Sequence, residues 1–516
     1  MIAVANRAAS WIADRCNPIV VKEARQAVRS RTIISLITLE ILALLAITGG
    51  TALFQGRQAR DLDGNGLEVF MTINGGVMFL CALFVPAFVA GKLASERKGV
   101  AADLLYTTSI GPASVVWGKV AVTMMIASLL LSVAAPFLVV SYLLRGIDLP
   151  TIATVLATDV IVILLCAQAA ITVAAFPVAG VLRVLAAIAA VPLFVYVAGL
   201  SFAGIAFLGG GGSGGLRTAD AWWAYGAFAG VALGSVGLFF TLTVSMLQAP
   251  HADRATLPRV YTSALWVATL IGAQVYAIRV SDPAVIAIWG VAWLILASIA
   301  IALCAGERRT LGARVRVGVP RRLVYRIPRA LFMSGAATGL TWSILLAAAT
   351  VAVWYAQEPV VGLTTVDRSI ASIVPNLASL PLYALVVALV SVAIRDRFFA
   401  RWLEPGMTTG GAVLLFGLLS TVPFIVTAVL DPRNWDHRPV AAVLIPVGAP
   451  LFSDSLPELP RQALIFSGGA AAVLVVLHAR WFFRQFRQYR PLDEHELQTP
   501  RADTPPPPAE PEGTSA

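Results

Sequence analysis

Apolar runs of about 20 or more positions, nearly free of charge, recur along the chain at 32–54, 68–91, 115–143, 151–176, 180–208 and 219–248. A second set follows at 260–278, 283–305, 331–356, 369–394, 409–430 and 461–479. At 1.5 Å per residue, about 20 apolar residues in a helix cross the roughly 30 Å hydrocarbon core of a bilayer. The pattern therefore predicts an all-α, polytopic membrane protein with about twelve transmembrane helices. Pro446, Pro450 and Pro457 interrupt the weaker stretch 439–460, which reads as an interfacial or re-entrant piece. Were it a true span, the C-terminus would move to the other side of the membrane.

The polar segments between these runs are short, leaving no room for an extramembrane domain of ordinary size. Residues 1–31 hold a different pattern. In the segment Asn17–Arg31, Asn17 suits a helix cap and Pro18 its first turn. At 100° per residue, Val20, Val21, Ala24, Ala27 and Val28 share one face while Lys22, Arg25, Gln26 and Arg29 occupy the other. This predicts an amphipathic helix lying in the interface, either as an anchor on anionic headgroups or as a docking surface for a partner.

Composition changes the picture little, and charge changes it more. Hydrophobic residues make up 58% of the 516 and charged residues 13%, against about 25% charged in a soluble domain. A net charge of +10 would suggest nucleic acid in a soluble chain, but here it reports orientation. With the N-terminus inside, 29 of the 38 Lys and Arg fall in the inner segments. The expected topology has both termini in the cytoplasm, and no nucleic-acid partner is expected. The residues ahead of the first run do not resemble a cleaved signal peptide. Cys16, Cys81, Cys166 and Cys304 show no disulfide or metal spacing, and His251, His437, His478 and His495 form no paired motif. The tail 491–516 is Pro-rich, without hydrophobic periodicity, and is expected to be disordered.

The loop 92–119, between the second and third runs, carries the sharpest pattern. Glu96, Arg97 and Lys98 precede Asp103, Leu104, Leu105 and Tyr106, then Thr107 and Thr108, and then a Gly111-Pro112 break. Such a segment suits a short helix across the membrane exit, with its leucines filling a pocket on another protein; as a bland alternative it is a polar connector.

At these positions the chain resembles the permease subunits of ABC transporters of the ABC-2 type. Members open with an Asn-Pro, basic, amphipathic interface helix. They carry a loop of the form E-R-x-x-x-T-x-[DE]-L-L-L-T-[ST]-P-[IL], with Gly-Lys soon after, at the start of the third span. This chain supplies Asn17-Pro18, Glu96-Arg97, Asp103-Leu104-Leu105, Thr107-Thr108, Ile110 and Gly118-Lys119, and departs at Ala101, Tyr106 and Ser109. The resemblance covers about the first 250 residues. It implies an interface helix over 1–31 and a six-helix permease module over 32–250, with 92–119 as its coupling loop. It also implies an ATPase-coupling role for Glu96, Arg97, Asp103, Leu104, Leu105, Thr107 and Thr108. The resemblance further implies that Glu23, Arg25 and Arg29 of the interface helix lie near the same contact. The expected location is the bacterial cytoplasmic membrane.

No phosphate loop accompanies these motifs. Gly118-Lys119 is followed by Val120, Gly91-Lys92 by Leu93, and the run Gly209–Gly215 has no lysine after it. No cofactor is expected on this chain and no enzymatic activity of its own. ATP and Mg are expected on a partner ABC ATPase, with membrane lipids, and a second copy or a second permease, as further partners. Residues 251–490 predict a second six-helix module divided by the basic loop 306–329. It reads either as a diverged repeat, with 321–332 as its interface helix, or as an appended module. Within the spans, Glu40 lies roughly 12 Å into the first run at 1.5 Å per residue, and Asp159 lies in the fourth. Intramembrane ionisable groups mark functional positions or structural ion pairs. The function expected is the permease subunit of an ATP-driven exporter, with an ATP-independent ion- or proton-coupled secondary transporter or a polytopic enzyme as the alternatives.

Overall fold

The computed structural model describes residues 18–55, 66–96, 111–143, 147–176, 219–249, 252–280, 284–308, 311–361, 374–399, 407–430 and 458–491. These residues form fifteen α-helices. They are α1 (Pro18–Val28), α2 (Arg31–Gln55), α3 (Gly66–Glu96), α4 (Pro112–Leu143), α5 (Leu149–Ala175), α6 (Ala219–Leu247), α7 (Thr256–Val280) and α8 (Ala284–Ala305). There follow α9 (Ala313–Val317), α10 (Leu323–Phe332), α11 (Ala336–Val361), α12 (Leu380–Ile394), α13 (Met407–Leu430), α14 (Leu459–Leu477) and α15 (Ala479–Arg487).

Ten helices among the described residues are long and apolar enough to cross a membrane, so the chain is a multi-pass, all-α membrane protein. The expected count of twelve is not reached among them. The run at 180–208 and residues 439–457 lie outside the described residues, and the described apolar part of α13, Met407–Val422, is shorter than a full crossing. The tail from 492 onward also lies outside them.

The spans pack as two bundles. In the first, α3 is central and touches α2, α4 and α5, while α5 also packs on α6. Its core mixes Phe70, Ile73 and Val77 with Ile126, Leu130, Val162 and Ile163. At one end, Val89 and Leu93 of α3, Val116 and Val120 of α4, Ile171 and Ala174 of α5, and Val244 and Leu247 of α6 form a second cluster. The C-termini of α3, α5 and α6 and the N-terminus of α4 thus meet at that end. Between α5 and α6, Gln168 donates to Thr243 at 3.2 Å, and Thr172 and Thr243 are 2.8 Å apart. Small polar side chains joining spans in this way replace the hydrophobic drive that lipid does not supply.

The second bundle centres on α8, which packs against α11 and α12, with α13 and α14 against α12. Trp266, Trp289, Trp293 and Trp342 gather between α7, α8 and α11. Each indole N–H finds a hydroxyl: Trp289 and Trp293 both donate to Thr269, Trp266 to Thr350, and Trp342 to Ser263, all at 3.0–3.1 Å. The bundles meet along α6 and α7, consecutive antiparallel helices. Their backbones approach closely where Tyr261 donates to the Gly234 carbonyl at 3.1 Å, and a Cβ at Gly237 would collide with the Tyr261 hydroxyl.

Candidate functional site: two buried cation hubs at one end

Helix α1 stands on α4. Its inward face is Val20, Glu23, Ala24 and Ala27, one step round from the face that hydrophobicity predicts. Val28 is exposed, and Glu23, a carboxylate, is only 6% exposed. The rotation has an electrostatic cause. Seven residues into α4, Lys119 is 1% exposed, with its Nζ 2.7 Å from Glu23 Oε1 and 2.8 Å from Glu96 Oε2. A buried ammonium demands carboxylate partners, because an uncompensated charge there costs several kcal/mol, about 3–5 when one partner of a buried pair is removed.

Lys119 therefore ties together three elements: the helix before the first span, the last residue of the second span and the start of the third. Of the residues expected to couple to a partner, Glu96 and Glu23 converge on this lysine, while Arg25 and Arg29 lie exposed on the far side of α1. Arg97, Asp103, Leu104, Leu105, Thr107 and Thr108 lie outside the described residues. Beside the hub, α1, α2 and α4 border an open, mostly apolar cavity of about 420 Å³ lined by Ala27, Val28, Ile33, Met125, Ile126 and Leu129, with Ser128 and Ser132.

A second hub lies at the same end, a few residues beyond α6. Arg259 of α7 is 3% exposed and reaches Glu307 Oε1, just past α8, at 2.6 Å. Its guanidinium also donates to the Leu331 carbonyl at 2.9 Å, to Met333 at 2.6 Å and to Gly335 at 3.3 Å. Glu307 accepts the Gly335 N–H at 2.8 Å, and Asp253 accepts the Ser334 N–H at 3.1 Å and its hydroxyl at 2.6 Å. The turn between α10 and α11 is thereby held to α7 and α8. The segment after the last described span closes over it. Tyr489 donates to the Ser334 carbonyl at 2.8 Å, Gln485 accepts the Ala337 N–H at 2.9 Å, and Gln488 accepts the Leu311 N–H at 3.2 Å. Burial pushes the Tyr489 phenol up to about 12.

Sequence reasoning took Lys119 only as half of a Gly-Lys landmark and missed the Arg259 hub. The available signal is a lone basic residue in the first turns of an apolar run, with a lone glutamate at the end of the preceding one. Lys119 with Glu96 fits it; Arg259 with Glu307 does not, because that glutamate follows the next run instead of ending the preceding one.

Helix α10 precedes α11 much as α1 precedes α2, but its apolar Val324, Tyr325 and Ile327 face outward, and among the described side chains of α10 none enters the Arg259 network, only backbone near its end. The chain matches no family model, no curated protein and no solved structure.

Proposed function

We propose that this chain is the permease subunit of an ATP-driven exporter whose nucleotide chemistry resides on a separate ATPase. The observation that supports it most directly is the Lys119 hub, which ties α1, α3 and α4 together at the base of the loop 97–110. A partner pressing on α1 or on that loop would move the ends of α3 and α4 together, because breaking the lysine from either glutamate strands a buried charge. The Asn17-Pro18 helix start and the Glu96, Asp103-Leu104-Leu105 and Thr107-Thr108 positions resemble the coupling elements of ABC-2 permeases, which supports the same assignment. In this reading the hub end faces the cytoplasm, both termini lie there, and ATP with Mg binds only to the partner.

The test is to express the chain with a candidate ATPase from an adjacent reading frame. The wild type should co-purify with it and raise its ATP hydrolysis. The pair Leu104→Glu, Leu105→Glu should lose co-purification by tenfold or more, about 1.4 kcal/mol, while the permease still inserts. Unchanged association in that variant would refute the assignment. A proton-coupled secondary transporter is the second reading, supported by the buried carboxylates Glu40 and Asp159. It predicts full transport with no ATPase present.

A further inference from the structure

Three side chains inside the first bundle have no role in either hub. Glu40 of α2 and Asp159 of α5 are 0% exposed, and Asn74 of α3 is 1% exposed. Neither oxygen of either carboxyl has a hydrogen-bond partner, and neither do the amide oxygen and nitrogen of Asn74. Asn74 is nonetheless the polar neighbour of Asp159, short of hydrogen-bond geometry. Two turns further along α3, Cys81 lies within electrostatic reach of both Glu40 and Asp159. The surroundings are otherwise apolar, with Phe70, Ile73, Val77, Met78 and Ile163 in the same core.

An ionised carboxylate in such a place costs several kcal/mol even after relaxation. Two of them would consume much of the roughly 5–15 kcal/mol by which a folded protein is stable. Among the described residues, the elements packed around them offer no counter-charge. Besides Glu40 and Asp159, the charged and titratable groups on α2 to α6 are Arg31, Glu68, Lys92, Glu96, Lys119 and Asp220, with the thiols Cys81 and Cys166, the phenols Tyr142 and Tyr225, and Asp148 just before α5. Lys119 is committed to Glu23 and Glu96. Arg31 starts α2, and Lys92 lies over the Phe88 ring, nearly five turns of α3 from Asn74. A metal ion would need several oxygen ligands, and no group of three or more His, Cys, Asp and Glu among the described residues is placed to hold one.

We propose that Glu40 and Asp159 are intramembrane proton-binding sites, with the Asn74 amide positioned to share a hydrogen bond with the Asp159 acid. Each carboxylate takes up one proton to become a neutral acid, and that proton can leave only when helix movement admits water to the site. The inference is independent of the ATPase assignment, since it concerns the inside of the first bundle alone.

The experiment uses the full chain in lipid at about pH 7, some three units above the ordinary Asp and Glu range. Infrared difference spectra between the wild type and Asp159→Asn, and between the wild type and Glu40→Gln, should each show the C=O band of a neutral carboxylic acid. Modification by dicyclohexylcarbodiimide, mapped by peptide mass, should fall on Glu40 and Asp159 and be absent from each position in its own variant. Both amide variants should insert and keep near wild-type thermal stability, because an amide replaces an uncharged acid of the same shape. Ionised carboxylate bands in place of acid bands would overturn the proposal. So would loss of the acid bands or of the labelling in sodium or potassium but not in choline, which would identify a metal-cation site.

Discussion

Lys119 shows what one misplaced charge does to a membrane helix. At 1% exposure it cannot reach water, and both glutamates that neutralise it come from other elements. Lys119→Met should therefore destabilise the chain by roughly 3 kcal/mol, mainly by stranding Glu23 rather than by losing attraction. Thermal unfolding in detergent of Lys119→Met, Glu23→Gln and the double variant checks this. The double variant should recover most of the loss, giving a coupling on the order of 2 kcal/mol. Tyr489 makes the corresponding prediction for the second hub. Because burial raises its phenol to about 12, above the ordinary value near 10, folding favours the neutral form. That stability is fully present below about pH 10 and is lost as pH rises through about 12. Tyr489→Phe should cost about 1–2 kcal/mol at neutral pH, through the unmet Ser334 carbonyl and the lost Thr338 contact, and should flatten the alkaline loss.

Elements were legible in proportion to their length. Runs such as 68–91 and 283–305 emerged as α3 and α8 within a few residues, because burial in lipid imposes an unbroken apolar stretch on any sequence. The rotation of α1 was not legible. Hydrophobicity placed Val28 inward and left Glu23 out of the apolar face, and only the position of Lys119, 96 residues away, reverses that. Long-range pairing of charges leaves no periodic trace in sequence, and for the same reason Arg259 and Glu307 went unnoticed. The seam between the bundles is a third feature set by close packing, at Gly234 and Gly237. Gly237→Leu should force α6 and α7 apart, and a disulfide introduced across this seam should form in the wild-type background and fail in the variant.

On the scale of the whole molecule, two bundles joined mainly along α6 and α7 carry a buried cation each, both at the same end. The proposed orientation, which rests on the positive bias of the intervening segments, puts that end in the cytoplasm and predicts that reporters fused at either terminus are active only on the cytoplasmic side. Activity of a C-terminal reporter on the opposite face would mean an odd number of crossings. The first hub also has a consequence for how the chain is made. A lysine at the centre of an inserting helix costs about 2.5–3.5 kcal/mol, falling toward the ends. Lys119 leaves the ribosome well after Glu23 and soon after Glu96. The carboxylates that neutralise it are thus already synthesised when the third span presents itself, and order of synthesis supplies a chaperone-like service within one polypeptide. Circular permutation that placed α4 ahead of α1 would retain every contact of the finished structure and yet make insertion of that span slower and less complete.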